Sequence, residues 1–349
     1  MTQAEPLITA APAATALKLA PGREGEGAAV TGAMPAGSPA AQAALAAAID
    51  FAGQALSPAT LRAYRSDWAH FCAWCRDAGW PALPAAPETV AAYLASLFVS
   101  HARSALVRRL AAMSRAHRLA GADWPGAHPK VRNTLQGIRR NHSRVPRQAA
   151  ALTTPEVREL LAACDYGPVG LRDRALLLIG YAGALRRSEL VAIEREHVNF
   201  DHDGLRLTIP RAKGDQTRKG ATIGIPRGEA LDTCPVRALE AWLRISDCQR
   251  GPVFRSIDRH GRIGLQALHA DAVRQILTKR AAIAGLVMPN GERLSPHGLR
   301  AGFITQAYVN GARDEEIMDH TRQKDLRTMR GYVRRAKLVT GSPARLLGL

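Results

Sequence analysis

Between residues 57 and 140 the large apolar side chains recur every third or fourth position, which confines that stretch to helices. Ser57-Pro58-Ala59-Thr60 is a helix start, a capping hydroxyl followed by proline. Leu61, Tyr64, Trp68, Phe71 and Trp74 then form one stripe, which Gly79 ends. Pro87-Glu88-Thr89-Val90 opens a second helix with Val90, Tyr93, Leu94 and Leu97 on one face. A third is expected over about residues 104–119 and a fourth over about 128–140. Residues 38–142 therefore read as a small all-helical domain. Residues 1–36, rich in Ala, Gly, Pro and Thr, have too few large apolar side chains to bury a core and are expected to be a disordered tail.

Residues 143–152 read as a linker, after which Thr153-Thr154-Pro155-Glu156 starts a new domain with a capping box, over residues 153–349. Its pattern is mixed. A long helical stretch from Asp173 to about Ile193 has a break expected near Gly183. Two short strand-like runs, residues 205–210 and 221–226, bracket a basic hairpin tip containing Lys213 and Lys219. Helices follow at about 235–245, 273–284, 297 onward, 314–320 and 326–332. At 349 residues the chain is long enough for two domains with cores of their own. The expected fold is mainly α with a small β-hairpin or sheet.

The net charge of +18 asks for a polyanionic partner, and nucleic acid is the first candidate. Only seven of the 48 basic residues are lysines, and arginine is the better residue for bidentate phosphate contacts. Arg103, Arg108, Arg109, Arg115, Arg118, Arg139 and Arg140 fall on the third and fourth helices, where acids are almost absent. They are read as contacts to a phosphate backbone. No apolar run is long enough to span a bilayer and no secretory signal is evident, so a membrane is not an expected partner. The five cysteines are scattered, which suits a reducing cytosol, and Cys72 and Cys75 read as packed helix residues.

Two stretches carry chemistry. Ser295-Pro296-His297-Gly298-Leu299-Arg300 reads as a capped helix start, with His297 and Arg300 on one face near outward-pointing N–H groups. In Leu185-Arg186-Arg187-Ser188-Glu189-Leu190, Glu189 is placed to orient the Arg186 guanidinium. Either motif alone is weak.

In order, the chain carries Arg186, a hairpin lysine, His297-x-x-Arg300 and Tyr332. That series resembles the tyrosine recombinase (phage integrase) family of DNA strand-exchange enzymes, over about residues 38–349. The resemblance implies a helical (SAM-like) core-binding domain ahead of an α+β catalytic domain. It also implies double-stranded DNA as partner, a homotetramer on two sites, and a place in the bacterial cytoplasm at the nucleoid. No cofactor and no metal are expected. Arg186 and Arg300 match the clamps on the scissile phosphate, and Glu189 the supporting acid. Lys213 matches the donor to the leaving 5′ oxygen, with Lys219 as its rival. His297 matches the histidine of the acid/base pair, and Tyr332 the nucleophile. One position departs: the family's usual His or Trp, nine residues before the tyrosine, is Gln323. Glutamine donates a hydrogen bond but carries no charge. Nicking and resealing without exchange, or DNA binding without catalysis, remain the alternatives at this stage.

Overall fold

The computed structural model describes residues 38, 43–44, 55–141, 149–210, 220–288, 292–336 and 347, with side chains left out for 333–336. The expected tail, most of the expected linker, and Lys213 and Lys219 lie outside the described residues. The chain divides into two units, Met1–Pro146 and Arg147–Leu349. Among the described residues, no helix is long and apolar enough to cross a membrane.

The first unit is built from α1 (Pro58–Asp77), α2 (Pro87–Ser96), α3 (Arg103–Leu119) and α4 (Pro129–Asn141). Ser57 caps α1 by accepting from the Thr60 N–H at 3.2 Å, and Gly79 takes φ +70° just beyond its end. The stripes meet in one core of Trp68, Phe71, Val90, Tyr93, Leu94, Leu106 and Met113. Cys75 packs in that core, where burial pushes its thiol up to about 11, so it is a packing residue and a poor source of thiolate.

The second unit starts earlier than its capping box. Residues 149–152, expected to end a linker, pack as part of its core. Leu152 is fully buried, its N–H donates to Gly298 O at 3.0 Å, and the Ala150 N–H donates to Arg293 O at 3.1 Å. Their small and apolar side chains fit a close approach to the chain at 298–302. At Gly302, a Cβ would stand 1.7 Å from Leu152 O. The capping box then forms as expected, with Glu156 accepting from the Thr153 N–H at 2.7 Å.

Helices α5 (Thr154–Ala162), α6 (Pro168–Ala182) and the short α7 (Arg187–Val191) precede a three-stranded antiparallel sheet. Its strands are β1 (Val198–Phe200), β2 (Gly204–Ile209) and β3 (Ala221–Pro226), with Gly204 opposite Pro226 and Ile209 opposite Ala221. The expected hairpin is therefore β2–β3. After α8 (Pro235–Ile245), β4 (Arg255–Ile257) and β5 (Ile263–Ala267) form a second hairpin. The remaining helices are α9 (Ala270–Ala284), α10 (His297–Val309), α11 (Asp314–Thr321) and α12 (Leu326–Ala336). The core runs from Leu152 through α6 and the sheet to Trp242 and Leu299. Ile304, Ile317 and Met329 form a separate apolar knot that joins α10, α11 and α12.

Candidate active site

The site grows from a bend. Helix α6 ends at Gly183, and Ala184 turns into the left-handed region at φ 45°, unusual for a residue with a side chain. The bend sets Arg186 at the start of α7. Glu189, buried in the first turn of that helix, accepts from the Arg186 backbone N–H at 3.0 Å and from its guanidinium at 2.6 Å. One carboxylate thus fixes both the chain and the side chain of Arg186. The Arg186 side chain remains about a quarter exposed, at 27%.

Arg300 meets that bend from α10. Its guanidinium donates to Ala184 O at 2.6 Å and to Thr321 O at 2.5 Å. These bonds tie it both to the bend and to the end of α11. It is buried, and burial together with the charges of Arg186 and Arg322 pushes its pKa down to about 10. It stays protonated at neutral pH.

The start of α10 departs from expectation. Ser295 makes no cap; Pro296 is the capping residue, without a side-chain bond. The Gly298 N–H turns back to Ser295 O at 2.8 Å and the Leu299 N–H to Pro296 O at 3.3 Å. These N–H groups are used within the turn and do not point outward to an anion. His297 and Arg300 differ in burial: Arg300 is buried, whereas His297 is exposed and meets α12 at Tyr332. Gly298 explains the sequence between them, since a Cβ there would stand 2.4 Å from Ala150 O.

His297 Nε2 lies 2.6 Å from the Tyr332 hydroxyl. The ring is open to solvent on one side. Burial of the rest, then Arg300 and Arg186, pushes its pKa below the ordinary histidine value. It is therefore neutral at pH 7. With the proton on Nδ1, Nε2 can accept the phenolic proton. Tyr332 is held in place by α12, whose Met329 is fully buried in the apolar knot and whose Arg330 pairs with Asp314 at 2.9 Å.

Gln323 follows α11 in a turn where its N–H donates to Met318 O at 2.9 Å. Its side-chain Oε1 is buried without a partner among the described residues. His320 does not take its place. Its Nε2 donates to Ala182 O at 2.8 Å and its ring stacks on Phe303 at 4.7 Å, which makes it a strut between α6, α10 and α11. Sequence reasoning missed Arg322, whose guanidinium pairs with Glu189 at 3.2 Å. Its only signal was a basic residue next to the departing position.

The arginines of the first unit divide. Arg103, Arg118, Arg139 and Arg140 are exposed and Arg115 is half-buried. Arg108 is committed to Asp67 by two bonds of 2.7 and 3.0 Å. Arg109 does not belong with them. It is buried, donating to the Tyr93 hydroxyl at 2.6 Å and lying 3.1 Å from His101 Nε2. The acid scarcity on its own helix misleads there, because its polar partners come from other elements.

Residues 150–338 match the phage integrase family. The chain is 34% identical to an integrase/recombinase XerD homologue of Selenomonas ruminantium over 283 residues, 80% of this chain and 82% of that protein. It is 35% identical to the tyrosine recombinase XerD of Xanthomonas campestris over 181 residues, 48% of this chain but only half of that protein. Among solved structures, the XerH recombinase in a post-cleavage complex with its palindromic difH substrate shares the fold. The TM-score is 0.56 at 17% identity, over 75% of this chain and 72% of that one. A lambda integrase tetramer bound to a Holliday junction gives 0.54 at 16%, over 79% and 74%. The chain belongs to the phage integrase family, whose members are tyrosine recombinases.

Proposed function

We propose that this protein performs site-specific DNA strand exchange through a covalent 3′-phosphotyrosine. The observation that carries this is the 2.6 Å contact of the Tyr332 hydroxyl with His297, whose pKa the nearby buried Arg300 helps to lower. A phosphodiester repels nucleophiles by its own charge. Arg186, aimed by Glu189, and Arg300 neutralise its nonbridging oxygens and the charge that grows on them in the transition state. Tyr332 Oη attacks phosphorus as His297 Nε2 takes its proton. The new P–O bond forms as the bond to the 5′ oxygen breaks, and Lys213 protonates that oxygen. Gln323 donates a hydrogen bond to a phosphate oxygen. The phosphotyrosine conserves the bond energy, so a second 5′ hydroxyl can reverse the attack and join a new partner.

Double-stranded DNA is the substrate, consistent with the net charge of +18 and with DNA in the complexes of the structurally similar XerH and lambda integrase. Arg103, Arg115, Arg118, Arg139 and Arg140 contact its backbone, with Arg108 held in position by Asp67. Exchange between two sites calls for four copies, and the protein works as a homotetramer on DNA in the bacterial cytoplasm, at the nucleoid.

The test uses a duplex site selected by the full chain from random sequence, nicked so that cleavage traps the intermediate. A covalent adduct on a denaturing gel that vanishes in Tyr332→Phe is the expected result. Tight binding of the selected site with no adduct from the parent would leave only a DNA-binding protein.

A further inference from the structure

Gln323 puts no chargeable group at its position, and the residue beside it carries one. Arg322 ends α11 in the left-handed region at φ 56°. Glycine is the usual residue there, because a side chain strains the backbone. Capping the helix gives no reason for a guanidinium, yet this one is held at several points. It pairs with Glu189 Oε2 at 3.2 Å and donates to His320 O at 2.9 Å and, at 3.5 Å, to Ala184 O. Its Nε is buried without a partner among the described residues.

Those partners are shared. Glu189 also holds Arg186, and Ala184 O also accepts from Arg300. Two guanidiniums thus share one carboxylate, and a third shares the Ala184 carbonyl with Arg322. Without Arg322, Glu189 would offset Arg186 one for one, and Arg300 alone would face the phosphate uncompensated. The same bonds anchor the turn that presents Gln323 to the bend that presents Arg186.

We propose that Arg322 is a positioning residue for phosphoryl transfer, supplying to the pocket the positive charge that Gln323 lacks and holding Arg186 and Gln323 in register. This rests on the strand-exchange function above. Arg322 acts through Glu189 and does not itself touch the phosphate.

The experiment measures single-turnover adduct formation on the nicked selected site, with DNA affinity measured in parallel. Arg322→Gly suits the left-handed backbone, and Glu189 keeps Arg186 as a partner. The expected loss of rate is about ten- to hundredfold, with site affinity changed by less than about threefold. Arg322→Lys should recover most of the rate. In a Gln323→His background, with each rate taken against that background's own, Arg322→Gly should cost much less, since histidine restores a chargeable group. Parental rates in Arg322→Gly would overturn the proposal. So would an equal loss whichever residue stands at 323, or no recovery with lysine; either would make Arg322 a structural cap. A parent that forms no Tyr332-dependent adduct would remove the strand-exchange function, and this role with it.

Discussion

Two arginine–carboxylate clusters lie in the second unit, and they are wired to opposite ends. In one, Asp173 sits between Arg172 and Arg280, with bonds of 2.8 Å to each. Its three side chains are 9%, 1% and 3% exposed in chain order, which leaves no room for a ligand. Backbone oxygens of Arg255 and Ala163 take further donors. Burial works against the Arg280 charge, but the Asp173 hydrogen bond and charge outweigh it and raise its pKa. In the other, Arg186 and Arg322 pair with Glu189, Arg300 joins them at the Ala184 carbonyl, and Arg186 reaches solvent. Here burial and the like charges of Arg186 and Arg322 win, and Arg300 falls to about 10. Both clusters gather arginine around a carboxylate, but the first has a second acid, Asp165, 3.6 Å from Arg280. The first has its charge stabilised from within. In the second, two guanidiniums share one carboxylate and Arg186 reaches solvent, an arrangement open to an anion from outside, as the proposed function requires.

The largest effect separating them should be on folding. Asp173→Ala leaves two buried guanidiniums without their carboxylate, a change that typically costs about 3–5 kcal/mol. Urea denaturation of the full chain should show that loss. A midpoint close to the parent's would mean that the first cluster does not hold the fold.

Paired lysine substitutions sharpen the contrast. Lysine keeps charge but loses the planar fork that reaches two acceptors at once. Arg300→Lys gives up one of its two carbonyl anchors, and adduct formation should fall about a hundred- to thousandfold at little cost in stability. Arg280→Lys should do the reverse, lowering stability while each folded molecule cleaves at the parental rate. If both variants lose rate equally, the clusters are not functionally distinct.

Which parts of this were legible in the sequence follows from the range of each interaction. The Ser57 cap, the Thr153–Glu156 box, the break at Gly183 and the Arg186–Glu189 pair all join residues three or fewer positions apart, or mark a single punctuating residue. The pattern exposes such features directly. Arg109 was misplaced because Tyr93 reaches it from another helix. Residues 149–152 looked like linker because the glycines that make room for them are some 150 positions away. Strands β1 and β4 are three residues each, too short for an alternation to register. Arg322 gave no periodic signal at all. Its role depends on a left-handed turn and on an acid more than a hundred residues earlier, which only the folded chain brings together.

The smallest effect concerns the proton that leaves Tyr332. His297 borders the open cluster, and burial, with Arg300 and Arg186, holds its pKa below the ordinary value. The sign is therefore fixed: the imidazole stays neutral at pH 7 and becomes protonated only when the pH falls below the range of a free histidine. The second-order rate of adduct formation reports the free enzyme. It should hold level from neutral pH down to that lowered pKa, then drop roughly tenfold per pH unit as His297 loses its capacity to accept a proton. Removing positive charge by Arg186→Gln should move the acid limb of the residual rate to higher pH, because a weaker field repels the imidazolium less. Substituting Arg280, in the closed cluster, should leave the limb where it is. A limb that shifts with Arg280 but not with Arg186 would mean that the field at His297 does not come from the open cluster, and the electrical distinction between the two sites would fail.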